Sequence, residues 1–190
     1  IYFLKDGKIL WISEDSRFKH IWISKHSGSK KWALTEGSWE VSKIVHIDEK
    51  ESLIYFMANK ESVFEQNLYS IRLDGTELKL LTEEAGVHNI EITTSGKYFI
   101  DSFSSSTKPM KITLRELKTG DIIRVLKETE IDQFIKYEWS YPNIINFPSI
   151  DNSVTLDASI ILPPNFSKSN KYPVIIHGYG MPGTQIVWNK

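Results

Sequence analysis

The chain has no cysteine among its 190 residues. Disulfides and thiolate zinc sites are therefore excluded, and with them the small secreted scaffolds that depend on either. There is no excess of one charge: Lys and Arg total 23, Asp and Glu 24, giving a net charge of −1. That balance gives no electrostatic reason to bind nucleic acid or an anionic membrane. No apolar run approaches the ~20 residues of a membrane span. Val174-Ile-Ile176 has the length of a buried strand instead. No charged segment precedes an apolar one at the start, so no signal peptide is legible. Ile1-Tyr-Phe-Leu4 reads as a strand fragment, and a natural start further upstream is expected. The five histidines, His20, His26, His46, His88 and His177, lie far apart with no carboxylate at ligand spacing. The expectation is no metal and no cofactor. No Gly-x-Ser-x-Gly elbow occurs, and Gly28-Ser29 and Gly37-Ser38 fall at turns and strand edges.

The first two-thirds of the chain repeats. Leu10-Trp-Ile12, Leu53-Ile-Tyr-Phe56 and Tyr98-Phe-Ile100 are β-rich runs set about 45 residues apart. Each precedes a polar loop, at 13–19, 59–66 and 102–108. A second run follows: His20-Ile-Trp-Ile23, Asn67-Leu-Tyr-Ser-Ile71 and Lys111-Ile-Thr-Leu114. The turns Ser27-Gly28, Asp74-Gly75 and Thr119-Gly120 lead to third runs at 31–34, 78–81 and 122–125. Asp-Gly between β-rich runs signals a hairpin, because the turn needs positive φ. Thr35-Glu-Gly37 and Thr82-Glu-Glu84 close the units, and Val41-Ser-Lys-Ile-Val45 and Asn89-Ile-Glu-Ile92 open the next.

Four short strands per ~45 residues is the period of a propeller blade. The expected fold is mainly β: a partial β-propeller of about three four-stranded blades, too few to close a ring. A single antiparallel sandwich is the competing architecture. The repeat fades after Leu126. Thr129-Glu-Ile-Asp132 has a capping pattern that would open a short helix through Phe134 and Ile135. A domain boundary is expected near residue 133, with blades over 1–133 and a second domain over 134–190. In that domain Asn143-Ile-Ile-Asn-Phe147 and Leu156-Asp-Ala-Ser-Ile-Ile-Leu162 alternate and should pair about an Asp151-Asn152 turn. Pro163-Pro164 stops the second strand. Residues 172–178 read as a third strand, covered on both faces.

These residues carry a family likeness. Leu34-Thr-Glu-Gly-Ser-Trp-Glu-Val41, Asn67-Leu-Tyr-Ser-Ile71, Ile161-Leu-Pro-Pro-Asn-Phe166, Lys171-Tyr-Pro-Val174 and Tyr179-Gly-Met-Pro182 occur in order along the chain. Together they resemble the dipeptidyl peptidase IV branch of the prolyl oligopeptidase family. The resemblance implies the last blades of a propeller followed by the first strands of an α/β-hydrolase domain. It implies a serine exopeptidase that releases N-terminal dipeptides, after proline or alanine, through an acyl-enzyme. The partner it implies is a peptide, and a homodimer is the assembly it allows. Animal members carry disulfides in this region. Their absence here points to a bacterial protein of the periplasm or cell envelope rather than the cytoplasm. The competing function is a non-catalytic propeller that binds peptides and keeps a degenerate hydrolase domain.

By that resemblance Tyr179 is the catalytic candidate. Its phenol would donate to the oxyanion of the tetrahedral intermediate, stabilising charge that exists only at the transition state. The Ser, Asp and His of a triad are absent from the 190 residues in any recognisable motif. Met181 is a departure from the family's Tyr-Gly-Gly-Pro or Tyr-Ala-Gly-Pro. His177 reads as a satisfied histidine at a strand end, on the wrong strand to be the family's base. Glu83-Glu84 reads as a solvated turn, not as the family's ammonium-binding pair. The aromatic residues read as blade packing, and the basic residues between Lys25 and Lys31 as a solvated loop.

Overall fold

Alternating apolar residues in short runs, broken by Gly and Asp turns, produce strands and little else. The computed structural model describes residues 1–25, 30–131, 137–181 and 183–190. The strands are β1 (Tyr2–Phe3), β2 (Ile9–Ser13), β3 (His20–Ser24), β4 (Lys31–Ala33), β5 (Val41–Asp48), β6 (Leu53–Ala58) and β7 (Asn67–Arg72). They continue as β8 (Lys79–Leu80), β9 (Val87–Ile92), β10 (Tyr98–Ser105), β11 (Lys108–Glu116), β12 (Ile122–Glu128), β13 (Asn143–Pro148) and β14 (Thr155–Ile160). Among the described residues there is no helix.

β1–β4, β5–β8 and β9–β12 form three four-stranded sheets, each in sequence order, and β13–β14 form a separate hairpin. All strand pairs are antiparallel. These are the three expected blades, side by side rather than two sheets of a sandwich.

The middle blade shows why the repeat is needed. Side chains on a strand alternate between faces. In β6, Ile54, Phe56 and Ala58 join a core with Leu10, Ile21 and Ile23 of the first blade. The intervening Tyr55 and Met57 join a second core with Ile90, Phe99 and Leu117 of the third. A lone sheet of this sequence would leave one of those faces in water. Trp39, in the link between the first two blades, stacks with Phe56 at 6.4 Å, and Phe56 stacks with Tyr69 of its own blade at 5.7 Å. Burial holds the Tyr69 phenol well above its ordinary pKa, with nearby Glu61 adding to the shift.

The blade-closing Leu-Thr pairs act as clasps. Ile21 N–H donates to Thr35 Oγ1 at 3.0 Å, and Leu68 N–H to Thr82 Oγ1 at 2.9 Å. The preceding Leu34 and Leu81 donate to the carbonyls of Ile21 and Leu68 at 2.7 and 2.8 Å. The same local sequence thus ties the outer end of each of these two blades to the strand before it. Gly120, at φ +84°, makes the β11–β12 turn against the Leu81 carbonyl, where any Cβ would collide.

Several expectations need correction. The third polar loop spans only the tip at 106–107, because β10 runs on to Ser105. The Thr129 hydroxyl donates to Met110 O at 2.8 Å, prolonging the β11–β12 edge. The expected helix at Phe134 and Ile135, the boundary at 133 and the Ser27-Gly28 turn lie outside the described residues. The β13–β14 hairpin forms as expected, with Asn152 at φ +56° in its turn. Hydrogen bonds from Ser149 and Ser153 lower the Asp151 carboxyl to about 2. Residues 172–178 form no strand, however, and Ile175 is 98% exposed. An apolar strand of that kind takes its ladder from neighbours on both sides, and the described residues set none beside it.

Every residue of β12 is exposed, including Ile122, Ile123, Val125 and Leu126. An edge strand with this much apolar surface is a template for association. The 190-residue chain alone should form oligomers at micromolar concentration in sedimentation velocity. A monomer with a single cooperative melt would contradict the open-blade arrangement.

Candidate functional site

Tyr179 lies in a segment without regular secondary structure and is about half exposed. Its hydroxyl donates to Met181 Sδ at 2.9 Å. A thioether is a weak acceptor, so this bond yields readily to an anionic oxygen. Gly178 and Gly180 flank the tyrosine, and nothing stands within 4 Å of a Cβ built on either. Pro182, which completes the Tyr-x-x-Pro motif, is outside the described residues. Gly183, at φ +74°, then turns the chain, with Thr184 N–H donating to Met181 O at 3.2 Å.

Beyond that turn the chain returns to the blades. Gln185 Nε2 donates to Val63 O, and Asn189 N–H donates to Phe64 O at 2.9 Å, both in the β6–β7 loop. Asn189 Oδ1 accepts from Ser106 in the β10–β11 turn. These connections share one end of the blades. The β5–β6 and β7–β8 turns lie at the other end, around a polar cavity of about 640 Å³ lined by Lys5, Lys50 and Arg72. Beside Ser106 opens a mainly apolar cleft of about 490 Å³, lined by Pro109, Ile131, Trp139, Tyr141 and Ile161.

The other candidates stay apart from Tyr179. His177 is exposed and in no strand, which corrects its reading as a satisfied strand-end residue. Among the described residues no three His, Asp or Glu side chains come together as a metal site. His20 holds the first clasp, with Nδ1 3.0 Å from Thr35 Oγ1 and Nε2 3.0 Å from Gly37 O. His46 packs on Tyr55, and His26 is outside the described residues. Lys31 pairs with Asp15 and lies over the Trp22 ring, so that end of the basic loop is engaged rather than only solvated.

A buried charged network escaped the sequence altogether. His88 Nδ1 lies 2.9 and 3.0 Å from the two oxygens of Asp101, and its Nε2 is 2.9 Å from Glu84 O. Arg115 Nε is 3.0 Å from Asp101 Oδ2, and another guanidinium nitrogen donates to Glu84 Oε2 at 2.9 Å. The side chains of His88 and Asp101 are fully buried and that of Arg115 is 7% exposed. Glu84 is therefore half-buried and ion-paired, not a solvated turn; Glu83 alone is exposed. The residues come from the β8–β9 loop, β9, β10 and β11, and no spacing in the sequence announces that meeting. The network holds the third blade and the preceding loop together, and its Glu84 end reaches the surface beside Phe103 and Lys108.

Comparison with known proteins places these features. A family model described as the dipeptidyl peptidase IV (DPP IV) N-terminal region matches residues 1–110. The dipeptidyl peptidase 4 of Trichophyton rubrum is 33% identical over 193 residues, covering 94% of this chain and 24% of its own length. That of Trichophyton equinum gives the same figures. The crystal structure of Porphyromonas gingivalis dipeptidyl peptidase 4 superposes with a TM-score of 0.87 at 23% identity, over 98% of this chain and 26% of that one. The chain thus spans about a quarter of the length of these relatives.

Proposed function

We propose, from the premise that this chain belongs to the dipeptidyl peptidase IV family, that it is part of a serine exopeptidase. Residues 1–133 are the last blades of its propeller, and residues 134–190 begin its α/β-hydrolase domain. The enzyme releases N-terminal dipeptides, preferring proline or alanine at the second position, through an acyl-enzyme. The observation that carries this reading is the 33% identity to fungal dipeptidyl peptidases over 94% of the chain.

Within this part of the enzyme Tyr179 has one job. Its phenol donates a hydrogen bond to the oxygen of the scissile carbonyl as that oxygen becomes an alkoxide. The bond strengthens as charge develops, so it lowers the barrier more than it tightens substrate binding. The serine nucleophile, the histidine that takes its proton and the aspartate that orients the histidine come from sequence outside these 190 residues. The end of the blades that meets residues 185–189 covers the reaction side.

The test is turnover of a dipeptide-proline chromogenic substrate by the full-length protein, before and after a serine-directed fluorophosphonate. The expected result is activity that the reagent abolishes, and none from the 190-residue chain alone. A full-length protein that is inactive and unlabelled by the reagent would favour the non-catalytic, peptide-binding reading.

A further inference from the structure

We infer that residues 185–189 are a strap by which two propeller blades position the Tyr179 loop, with Asn189 as its positioning residue. The inference rests on the proposed role of Tyr179.

The loop cannot hold itself. Glycines stand at 178, 180 and 183, where a Cβ would meet nothing within 4 Å, and among the described residues the tyrosine hydroxyl has only a thioether for a partner. Upstream the chain is steadied by Tyr172, whose hydroxyl accepts from Ser167 N–H at 3.1 Å and whose ring packs on Phe166. Downstream the first anchor is Gln185, six residues past Tyr179. Six extended residues span at most about 20 Å, so where the strap is tied limits where the phenol can go.

Asn189 makes that tie from a single side chain and its amide. Oδ1 accepts from Ser106 N–H at 3.0 Å and from Ser106 Oγ–H at 2.8 Å. Nδ2 donates to Glu65 Oε1 at 3.1 Å, a charge-assisted bond. The backbone N–H donates to Phe64 O at 2.9 Å. Ser106 belongs to the third blade, and Phe64 and Glu65 to the second. Asparagine suits the place because it offers an acceptor to Ser106 and a donor to Glu65 at once. Aspartate would keep the first and set its charge against Glu65. Gln185 Nε2 adds a bond to Val63 O and another to Val187 O, and Trp188 Nε1 donates to Gln185 O at 3.0 Å, closing the strap on itself.

An oxyanion donor acts only when placed beforehand, and a misplacement of about 1 Å caused far from the chemistry can cost ~10²-fold. In the full-length enzyme Asn189→Ala should lower kcat by about 10-fold with KM changed less than about twofold. The melting temperature should hold, since the strap lies outside the blade cores. In a Tyr179→Phe background the same change should have no further effect, because the strap acts through the phenol. Asn189→Asp alone should be as slow as Asn189→Ala. Asn189→Asp combined with Glu65→Gln reverses donor and acceptor and should restore most of kcat. A kcat for Asn189→Ala within about twofold of wild type, effects that multiply with Tyr179→Phe, or no rescue by the reversed pair would each overturn the strap. If Tyr179→Phe is slow and Asn189→Ala is not, the strap alone fails. If Tyr179→Phe is itself silent, the reading of Tyr179 fails and the strap's role goes with it.

Discussion

Tyr179→Phe in the full-length enzyme is expected to lower kcat by about 10²–10³-fold with little change in KM. The substitution removes one oxygen and leaves the ring. Among the described residues that oxygen has no strong partner, only Met181 Sδ, so little ground-state energy is lost with it. In the proposed role its use comes when the carbonyl oxygen turns anionic. A donor of this kind is worth roughly 3–4 kcal/mol at the transition state. Because the side chain is half exposed and outside the blade cores, the melting temperature should scarcely move. A variant with kcat within about twofold of wild type would make Tyr179 a loop residue without a part in the chemistry.

The second large effect concerns stability. Asp101→Ala should cost about 3–5 kcal/mol, because it leaves the guanidinium of Arg115 and the ring of His88 buried without their shared partner. By contrast, breaking the exposed pair Lys118–Glu51 should cost no more than ~1 kcal/mol. Urea unfolding of the full-length protein, with hydrogen exchange of the β9–β11 amides, would compare the two. Replacing both Asp101 and Arg115 by apolar residues of similar volume should recover much of the loss, since the penalty lies in the orphaned charge. An Asp101→Ala variant as stable as the Lys118 one would show that the network carries no such weight.

The blades were legible because their physics is local. The unbroken β-rich apolar run Leu53-Ile-Tyr-Phe56 and the positive-φ turns at Gly75 and Gly120 mark strands without reference to anything distant. The repeat then follows, since a sheet apolar on both faces needs neighbours. Where polar residues sit on the inward face, the same reasoning failed. Asp101 and Ser105 are buried in β10 alongside Phe99 and Phe103, so composition suggested a loop where the ladder continues. The His88–Asp101–Arg115 network depends on register between three strands, which sequence spacing does not encode. Residues 172–178 failed for the opposite reason: their apolar pattern is that of a strand, but a strand is made by its neighbours. Tyr179 is proposed on a motif resemblance alone. The strap was not found at all, because its anchors at Ser106 and Glu65 lie 83 and 124 residues away from Asn189.

The central claim is exopeptidase chemistry, and peptide digestion tests it most directly. The full-length protein would be incubated with a peptide carrying proline at its second position, either with a free N-terminus or acetylated, and the products weighed by mass spectrometry. The account predicts release of the N-terminal dipeptide from the free peptide alone, and none after fluorophosphonate treatment. Cleavage inside the acetylated peptide, or no cleavage of either, would contradict it.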